Sequence, residues 1–373
     1  MPQLAVAEPA ELGFDSARLQ RAYDLLDAWT RSGEVPGGAV AVGRRDRLVA
    51  PRFFGRMGPE ADAPPIRDDA MFLMASITKP IVYLGAMLLV ERGLLTLTDR
   101  VTRYLPEFAA HHKDDTLVLH LFTHTSGLPD MLPNNVELRR AHAPLSEYVK
   151  AGIRDTVPLF PAGTRLSYQS VGTNLVAEIV RVVDGRPIAQ FLREEIFAPL
   201  GLKSIGLGSD GFDRRRLVRV QVPDYQDPSF GWNSEYWQGL GAPWGGLFSG
   251  PADFAVLCSL MLGGGRVGDV RIASPAVTSA MSRNWLTSLP ELPEAVARTQ
   301  PWGLGWRLHH PGTDDSWGDL LGPQTFGHTG ATGTLVWMDP QSGTFCLLLT
   351  SAIREKQPWR LKQLSNAVAA AIM

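Results

Sequence analysis

Residues 76–80 read Ser-Ile-Thr-Lys-Pro, and an apolar run follows directly, from residue 81 to residue 90. This pattern predicts a helix over residues 76–92 that ends at Gly93. On such a helix Lys79 lies one turn after Ser76 and on the same face. Desolvation lowers the pKa of an ammonium group, and a neutral lysine can take the proton of a serine hydroxyl. The pair therefore predicts a nucleophile with its own base.

The Ser-x-x-Lys spacing is a weak signal by itself, since about one or two matches are expected by chance in a chain of this length. The alternative is an ordinary helix start with a solvated lysine. Two observations favour the catalytic interpretation. Lys79 is the one lysine of six that has this partner, and the pair opens a long apolar helix.

A second segment, residues 161–170, reads Pro-Ala-Gly-Thr-Arg-Leu-Ser-Tyr-Gln-Ser and precedes a predicted helix over residues 174–183. Tyr168 lies in the loop beside the start of that helix. A phenol held there near Lys79 can act as a second proton carrier. The alternative for a loop tyrosine is a surface or packing role.

The third segment, residues 326–333, reads Phe-Gly-His-Thr-Gly-Ala-Thr-Gly and runs into a predicted strand over residues 334–338. Its three glycines permit close approach of the backbone to a ligand. The N–H groups along this edge can donate to an oxyanion. Without the other two segments, this one indicates only a turn.

The remaining pattern places strands at both ends of the chain and helices in the middle. Residues 1–75 and 300–373 are predicted to form an α/β (α+β) region, residues 76–299 a mostly helical region, with a cleft between them. The aromatic segment 210–250 is expected to contribute to that cleft. The other predicted helices cover residues 16–31, 117–124, 188–197 and 357–372, and the other predicted strands cover residues 38–43, 48–54, 303–308 and 345–350.

The composition excludes several classes of protein. The chain has 373 residues, 45% of them apolar and 20% charged, with a formal net charge of −2. It can bury a large core, and it offers no basic surface for nucleic acid or acidic membranes. Its apolar runs are too short to cross a bilayer, and no secretory signal is visible, so we expect a cytoplasmic protein. Cys258 and Cys346 lie in apolar runs and are expected to be buried thiols.

Together, the three segments resemble the serine β-lactamase and penicillin-binding-protein superfamily, specifically its class C β-lactamase-like branch with the family VIII carboxylesterases. The similarity covers most of the chain and includes the connecting residues 37–42, 94–106, 120–129, 245–254 and 302–306. It implies the β-lactamase/transpeptidase-like fold, an antiparallel sheet flanked by helices and built from both chain ends.

The resemblance also implies roles for individual residues. Ser76 corresponds to the acylated nucleophile, and Lys79 and Tyr168 correspond to the pair that activates it. The backbone N–H groups of Ser76 and Ala331 correspond to the oxyanion hole. The remaining substrate-binding positions are Ser170, His328, Thr329 and Gly330.

Two positions depart from the pattern of the β-lactamases. Ser170 stands where the second motif often has Asn, whose amide binds the acylamide side chain of a β-lactam. His328 stands where the third motif has Lys, and the ordinary pKa of a histidine is about 6.5. Both departures favour an esterase, an acyltransferase or a peptidase over a penicillinase.

The sequence thus predicts a serine hydrolase that works through an acyl-enzyme, with a carboxylesterase acting on small esters as the preferred interpretation. A β-lactamase and a D-amino-acid peptidase or acyltransferase are the alternatives within the same fold. A catalytically silent binding or scaffolding protein is the alternative outside enzymes. We expect a small-molecule ester or amide as substrate, no metal and no organic cofactor. The oligomeric state is left open.

Overall fold

The structure is a computed structural model and describes residues 4–222, 227–312, 317–356 and 358–373. Within these residues the strands are β1 (Ala5–Val6), β2 (Gly37–Arg44), β3 (Arg47–Leu48), β4 (Arg52–Gly55), β5 (Phe72–Leu73), β6 (Ile205–Leu207), β7 (Leu247–Ser249), β8 (Arg266–Val267), β9 (Val270–Arg271), β10 (Arg307–Leu308), β11 (Phe326–Thr329), β12 (Leu335–Asp339) and β13 (Thr344–Thr350). The α-helices are α1 (Ser16–Arg31), α2 (Thr78–Glu91), α3 (Val118–Phe122), α4 (Asn135–Arg140), α5 (Leu145–Arg154), α6 (Val171–Asp184), α7 (Ile188–Leu192), α8 (Glu235–Leu240), α9 (Pro251–Leu262), α10 (Pro275–Met281), α11 (Glu294–Thr299) and α12 (Trp359–Ala369).

The main sheet joins the two ends of the chain. Its strand order is β1-β3-β2-β13-β12-β11-β10, and β4 pairs with β2. The pairing of β13 with β2 is antiparallel along the full length of β13, from Thr344 opposite Arg44 to Thr350 opposite Gly38. Only β1 pairs in parallel among these strands. The predicted antiparallel sheet built from both chain ends is therefore confirmed.

Both faces of the main sheet are covered. Successive side chains of a strand point to opposite faces. Accordingly Val40 and Val42 pack in the cluster formed with α1 and α12, whereas Ala39 and Ala41 pack in the larger cluster that includes α9 and α2. Because helices lie on both sides, the central strands are buried and read as continuous apolar runs.

Helix α2 runs through the interior of the helical layer. Every residue from Thr78 to Leu89 is buried, and the helix packs against α6. A helix that is apolar on all sides belongs in a core. Its N-terminal end follows a short 3₁₀ turn, Ala75–Ile77, which contacts β11 of the main sheet. Ser76 consequently lies at the seam between the sheet and the helices.

Most predicted helices are confirmed, and α1 has the predicted ends. The side chain of Asp15 accepts a hydrogen bond from the backbone N–H of Arg18 (3.0 Å), as expected for a helix cap. Helix α6 starts three residues earlier than predicted. The predicted helix 188–197 is α7 followed by one π-helical turn, Arg193–Phe197. Residue 357, the predicted start of the last helix, lies outside the described residues.

Two predicted strands are wrong in extent. The single strand predicted over residues 48–54 is two short strands, β3 and β4, which both pair with β2. The break falls at Pro51, which has no N–H to give to a ladder. The strand predicted over residues 303–308 is reduced to β10. There Gly303 donates to the carbonyl of Trp306 (2.8 Å) and Gly305 has a φ of 82°, so the chain turns.

The middle of the chain contains more than helices. Strands β5, β7 and β6 form a three-stranded sheet, and β8 with β9 forms a hairpin. Helix α9 belongs to the predicted helical region by sequence, yet it packs on β2 and β13 of the main sheet. The division into residues 1–75 with 300–373 and residues 76–299 stays a prediction. None of the described helices combines the length and apolar composition needed to cross a membrane.

Candidate active site

The segment that carries Ser76 has an unusual backbone. Ala75, directly before it, has a φ of 47°, a left-handed conformation that few residues other than glycine adopt. The carbonyl oxygen of Ala75 accepts a hydrogen bond from Oγ1 of Thr78 (2.6 Å), which ties the turn to the start of α2. This conformation places the Ser76 side chain on the wall of a cavity at the seam.

Lys79 is buried directly behind Ser76. Its side chain has no exposed surface, and Nζ donates to Oγ of Ser76 (3.1 Å) and to the carbonyl oxygen of Trp244 (2.9 Å). Burial lowers the pKa of Lys79 to about 7, although the negative charge of Asp130 acts in the opposite direction. A substantial fraction of Lys79 is therefore neutral near pH 7. In that form its lone pair can accept the Ser76 proton.

Tyr168 covers Lys79 from the side of the cavity. The centre of its ring lies 4.8 Å from Nζ of Lys79. Burial raises the pKa of Tyr168, and Ser76 counteracts this effect only in part. The buried hydroxyl has no hydrogen-bond partner among the described residues, so the interaction with Ser76 falls short of hydrogen-bond geometry. Tyr168 is thus a neutral phenol with an unused donor.

The loop that presents Tyr168 is fixed by its neighbour Gln169. The backbone N–H of Gln169 donates to Nδ1 of His124 (3.2 Å), and its side-chain oxygen accepts from Oγ of Ser126 (2.6 Å). His124 also packs against the Tyr168 ring, with centroids 4.6 Å apart. The His-Thr-Ser-Gly segment that begins at His124 therefore serves to position the second motif.

The third motif approaches the nucleophile segment so closely that Gly330 can have no side chain. A Cβ atom there would lie 2.2 Å from Oγ1 of Thr334 and 2.5 Å from the carbonyl oxygen of Met74. Two hydrogen bonds fasten the contact: Thr332 donates to the carbonyl of Leu73 (2.8 Å) and Thr334 to that of Met74 (3.1 Å). The backbone after β11 is thereby held against the residues before Ser76.

His328 differs from the expectation drawn from the sequence. It is buried, and burial together with the nearby charge of Lys79 lowers its pKa to about 3, far below the ordinary value of about 6.5. Its Nδ1 lies 2.7 Å from the carbonyl oxygen of Thr329, which makes Nδ1 the donor and leaves Nε2 as an acceptor. Nε2 has no partner among the described residues. His328 is thus neutral at all physiological pH values.

Ser170 is engaged by a residue that the sequence analysis missed. Its hydroxyl donates to Oδ1 of Asp130 (2.7 Å), and its backbone N–H donates to the carbonyl oxygen of Asp130 (2.9 Å). Asp130 follows the connecting residues 120–129, and nothing in its local pattern distinguishes it from a loop aspartate. Only the fold brings it beside the second motif.

These residues surround one cavity of about 460 Å³, a size suited to a small-molecule ligand. Ser76, Tyr168, Ser170, His328, Thr329 and Ala331 all line it, while Lys79 lies behind Ser76 and Gly330 behind the strand edge. The aromatic segment contributes as predicted. The tryptophans in the lining are Trp232, Trp237, Trp244, Trp302 and Trp317.

The charged side chains that line the cavity include both acidic and basic residues, and the sequence analysis did not predict them. It consists of Asp130, Arg139, Arg307, Arg354 and Glu355. Arg354 donates to Oγ1 of Thr329 (2.9 Å), and Arg139 stacks over the ring of Trp237, with its guanidinium carbon 4.1 Å from the centroid.

Within the described residues, no group of three or more His, Cys, Asp or Glu side chains is arranged to hold a metal ion. Cys258 and Cys346 are buried and unpaired, away from the cavity.

A sheet built from both chain ends, with a serine and a lysine at the seam to a helical layer, defines the class of serine enzymes to which β-lactamases and penicillin-binding proteins belong. The Beta-lactamase family model matches residues 19–369. The chain belongs to this family, and the superfamily indicated by its three motifs is confirmed.

The relatives of known sequence or structure have diverse names. A Salmonella schwarzengrund protein named "Putative D-alanyl-D-alanine carboxypeptidase" is 27% identical, over 91% of this chain and 84% of its own. EstCE1, a hydrolase with promiscuous acyltransferase activity, has a structure that matches with a TM-score of 0.76 at 20% identity, covering 95% of this chain and 99% of its own. A family VIII carboxylesterase matches with a TM-score of 0.73 at 20% identity, covering 96% and 99%. At such identities the structures show the shared fold.

Proposed function

We propose that the protein is a serine hydrolase that forms an acyl-enzyme at Ser76 and hydrolyses small carboxylic esters. The observation that carries this proposal is the contact between Ser76 Oγ and Nζ of a lysine whose pKa burial lowers to about 7. A base with a pKa near the working pH is the most effective general base.

In acylation, Oγ of Ser76 attacks the carbonyl carbon of the ester while its proton passes to the neutral Nζ of Lys79. The negative charge that develops on the carbonyl oxygen is stabilised by the backbone N–H groups of Ser76 and Ala331. Their proximity is supported by the close contact at Gly330. Thr329 then lines the strand edge along which the substrate lies, and Gly330 lies behind it.

The leaving alcohol needs a proton when the ester C–O bond breaks. The hydroxyl of Tyr168 passes its proton to the alkoxide and is reprotonated by Lys79, so the raised pKa of Tyr168 suits a donor rather than a base. In deacylation, water attacks the acyl carbon and gives its proton to Lys79. Ser76 recovers its proton as the acid leaves.

Ester substrates are favoured by the neutrality of His328. A neutral imidazole supplies no fixed positive charge for a substrate carboxylate, which β-lactams and peptides carry. An aryl or alkyl ester needs no such contact. The neighbours named as an esterase and as a hydrolase with acyltransferase activity are consistent with this reading of the site.

A D-amino-acid peptidase is the second candidate, and a specific observation supports it. Arg307 and Arg354 line the cavity beside His328 and Thr329, so guanidinium groups stand near the position of the missing lysine. The relative named as a carboxypeptidase points the same way. Although this chain lacks the lysine of the third motif, the wall of the cavity therefore still carries positive charge.

A panel of substrates separates these functions. Initial rates with a short-chain aryl ester, a chromogenic cephalosporin and a D-aminoacyl amide are compared for the wild type and Ser76→Ala. We expect the ester to be hydrolysed with the highest kcat/KM, and every activity to be lost in Ser76→Ala. A faster rate with the amide would establish the peptidase. Absence of all three activities, with no labelling by a fluorophosphonate, would favour the silent binding protein.

A further inference from the structure

We propose that Asp130 binds a positively charged amine of the substrate, so that the preferred esters carry an ammonium group. This inference rests on the proposed function, because it assigns a substrate class to the same cavity. It concerns the wall formed by the loop before α4 and the start of α6.

The carboxylate of Asp130 is held in place by the second motif. The carbonyl oxygen of Asp130 accepts hydrogen bonds from the backbone N–H groups of Ser170 (2.9 Å) and Val171 (3.1 Å) at the start of α6. Oδ1 accepts the hydroxyl of Ser170 (2.7 Å). Among the described residues no hydrogen bond reaches Oδ2. One oxygen of a fixed carboxylate therefore stays available, and the side chain is exposed where it borders the cavity.

The charge of Asp130 has no partner among the described residues. Two of the cations that line the same cavity have contacts elsewhere: Arg139 stacks on Trp237, and Arg354 donates to Thr329. Lys79 is close enough for the charge of Asp130 to raise its pKa, but burial keeps that pKa at about 7 and so leaves much of Lys79 neutral. A carboxylate in this position favours a cationic ligand.

Two buried amide groups lie behind the same wall. A small side cavity of about 10 Å³ adjoins the main cavity and is bordered by Asp130, Asn135, Asn174 and Trp244. The Oδ1 atoms of Asn135 and Asn174 are buried and have no hydrogen-bond partner among the described residues. Buried amide oxygens without partners are uncommon in folded proteins. The side cavity has about the size of one water molecule and an apolar accessible lining, so the charged head is expected to bind Oδ2 of Asp130 from the main cavity.

Trp244 adds an aromatic surface to the wall that carries Asp130. A cation that lies beside an aromatic ring gains further stabilisation from the ring electrons. A carboxylate and an indole on one wall of the main cavity suit a primary ammonium. A carboxylate ligand would be repelled by Asp130, and a neutral alkyl group would leave its Oδ2 without a partner.

The test compares methyl esters that differ at one substituent, which is either charged or neutral. The neutral parent is methyl 3-phenylpropanoate. The acyl-side cation is methyl 3-amino-3-phenylpropanoate, in both enantiomers, whose amine stays protonated at neutral pH. Its N-acetyl derivative keeps a nitrogen at the same position but carries no charge. The value of kcat/KM is measured for each at neutral pH and at two ionic strengths.

For the wild type we expect at least one cationic ester to exceed the neutral parent and the N-acetyl ester by about tenfold or more, a preference that falls at high salt. Asp130→Asn keeps an oxygen to accept the Ser170 hydroxyl but loses the charge. It should bring the ratio of cationic to neutral substrate to within about twofold of unity. Any effect of Asp130 on the pKa of Lys79 acts on both substrates and cancels in the ratio.

Asp46→Asn is the matched control, because Asp46 lies exposed in the turn between β2 and β3, at the sheet, and undergoes the same change in charge. It should keep the wild-type ratio. Equal kcat/KM for cationic and neutral esters in the wild type, or a preference that Asp130→Asn retains, would overturn the inference. Failure of the proposed function is a different result: the neutral parent itself would show no turnover that depends on Ser76.

Discussion

Nζ of Lys79 lies 3.1 Å from Oγ of Ser76, with no exposed surface on the lysine side chain. The serine is thus paired with an amine that burial has made easy to deprotonate, since the pKa of Lys79 is lowered to about 7. This relationship requires neither a histidine base nor a carboxylate in contact with the nucleophile. In the proposed mechanism, the protonation state of this one lysine controls the activity.

The pH dependence of ester hydrolysis should therefore report Lys79. The protonated form accumulates below a pH of about 7 and cannot accept the Ser76 proton, so kcat/KM should fall on the acid side with an apparent pKa near 7. The measurement is kcat/KM for a neutral aryl ester between about pH 5 and pH 9. His328 has a pKa of about 3 and does not titrate in this range. A rate that is constant across the range would contradict the assignment of the base.

Asp130 should shift the pH dependence of kcat/KM. Its negative charge raises the pKa of Lys79, so Asp130→Asn should lower this pKa and move the acid limb to lower pH. The control is Asp46→Asn, which should leave the limb in place. A limb that moves to higher pH in Asp130→Asn would show that the two residues are not coupled as described.

Removing either proton carrier should slow turnover without unfolding the protein. We expect Lys79→Ala and Tyr168→Phe each to lower kcat by at least about 10²-fold, the lower end for general acid–base catalysis. Lys150→Ala removes an exposed lysine and serves as the control. Circular dichroism and thermal unfolding verify the fold of each variant. Normal kcat in both Lys79→Ala and Tyr168→Phe would place the proton relay elsewhere.

Burial of Lys79 also predicts an effect on stability. The pKa of Lys79 is about 7 in the folded state and higher in the unfolded state. At a pH between the two values the unfolded state binds more protons, so the contribution of Lys79 to the free energy of unfolding rises with pH. Lys79→Met, of similar size and without charge, should therefore raise Tm at neutral pH while abolishing activity. The gain should shrink as the pH rises and be largely lost only above about 10.5, where the wild-type amine is neutral in both states. A lower Tm at neutral pH would show that the lysine stabilises the fold.

The close approach at Gly330 gives a prediction about positioning. In Gly330→Ala the new Cβ would meet the carbonyl of Met74 and Oγ1 of Thr334, so the strand edge must move away from Ser76. We expect kcat to fall by about tenfold or more, and Tm to fall as well, since overpacking costs about 1–3 kcal/mol. Gly239→Ala, where the nearest atom would be 3.9 Å away, is the control. Unchanged kinetics in Gly330→Ala would argue against a role for this contact.

The neutral His328 gives a prediction about substrate class. We expect the wild type to hydrolyse small aryl esters with a much higher kcat/KM than cephalosporins at about pH 7.5, and His328→Lys to narrow the difference by binding the substrate carboxylate. The kinetics of both substrates are measured for both proteins. If the preference is unchanged in the variant, Arg307 and Arg354 already fulfil the role of the missing cation.

The sequence predicted those features that depend on local geometry. Ser76 and Lys79 are neighbours because helix spacing places them on one face, and α1 begins at Asp15 because its side chain caps the helix. The single strand predicted over residues 48–54 is divided in two, because Pro51 has no N–H to give to the ladder.

Features that depend on burial or on distant parts of the chain could not be predicted in this way. The pKa of His328 is set by the residues packed around it, including Lys79, and not by its own motif. Asp130 meets Ser170 across 40 positions of sequence, through a hydrogen bond that no local pattern indicates. The same holds for Trp244, whose backbone carbonyl accepts a hydrogen bond from Lys79.

The formation of an acyl-enzyme at Ser76 is tested most directly by intact-protein mass spectrometry after brief exposure to an aryl ester, followed by peptide mapping. The wild type should gain the mass of one acyl group, located on the peptide that contains Ser76, and Ser76→Ala should gain none. An adduct of the same stoichiometry in Ser76→Ala, or ester turnover by that variant at the wild-type rate, would contradict the account.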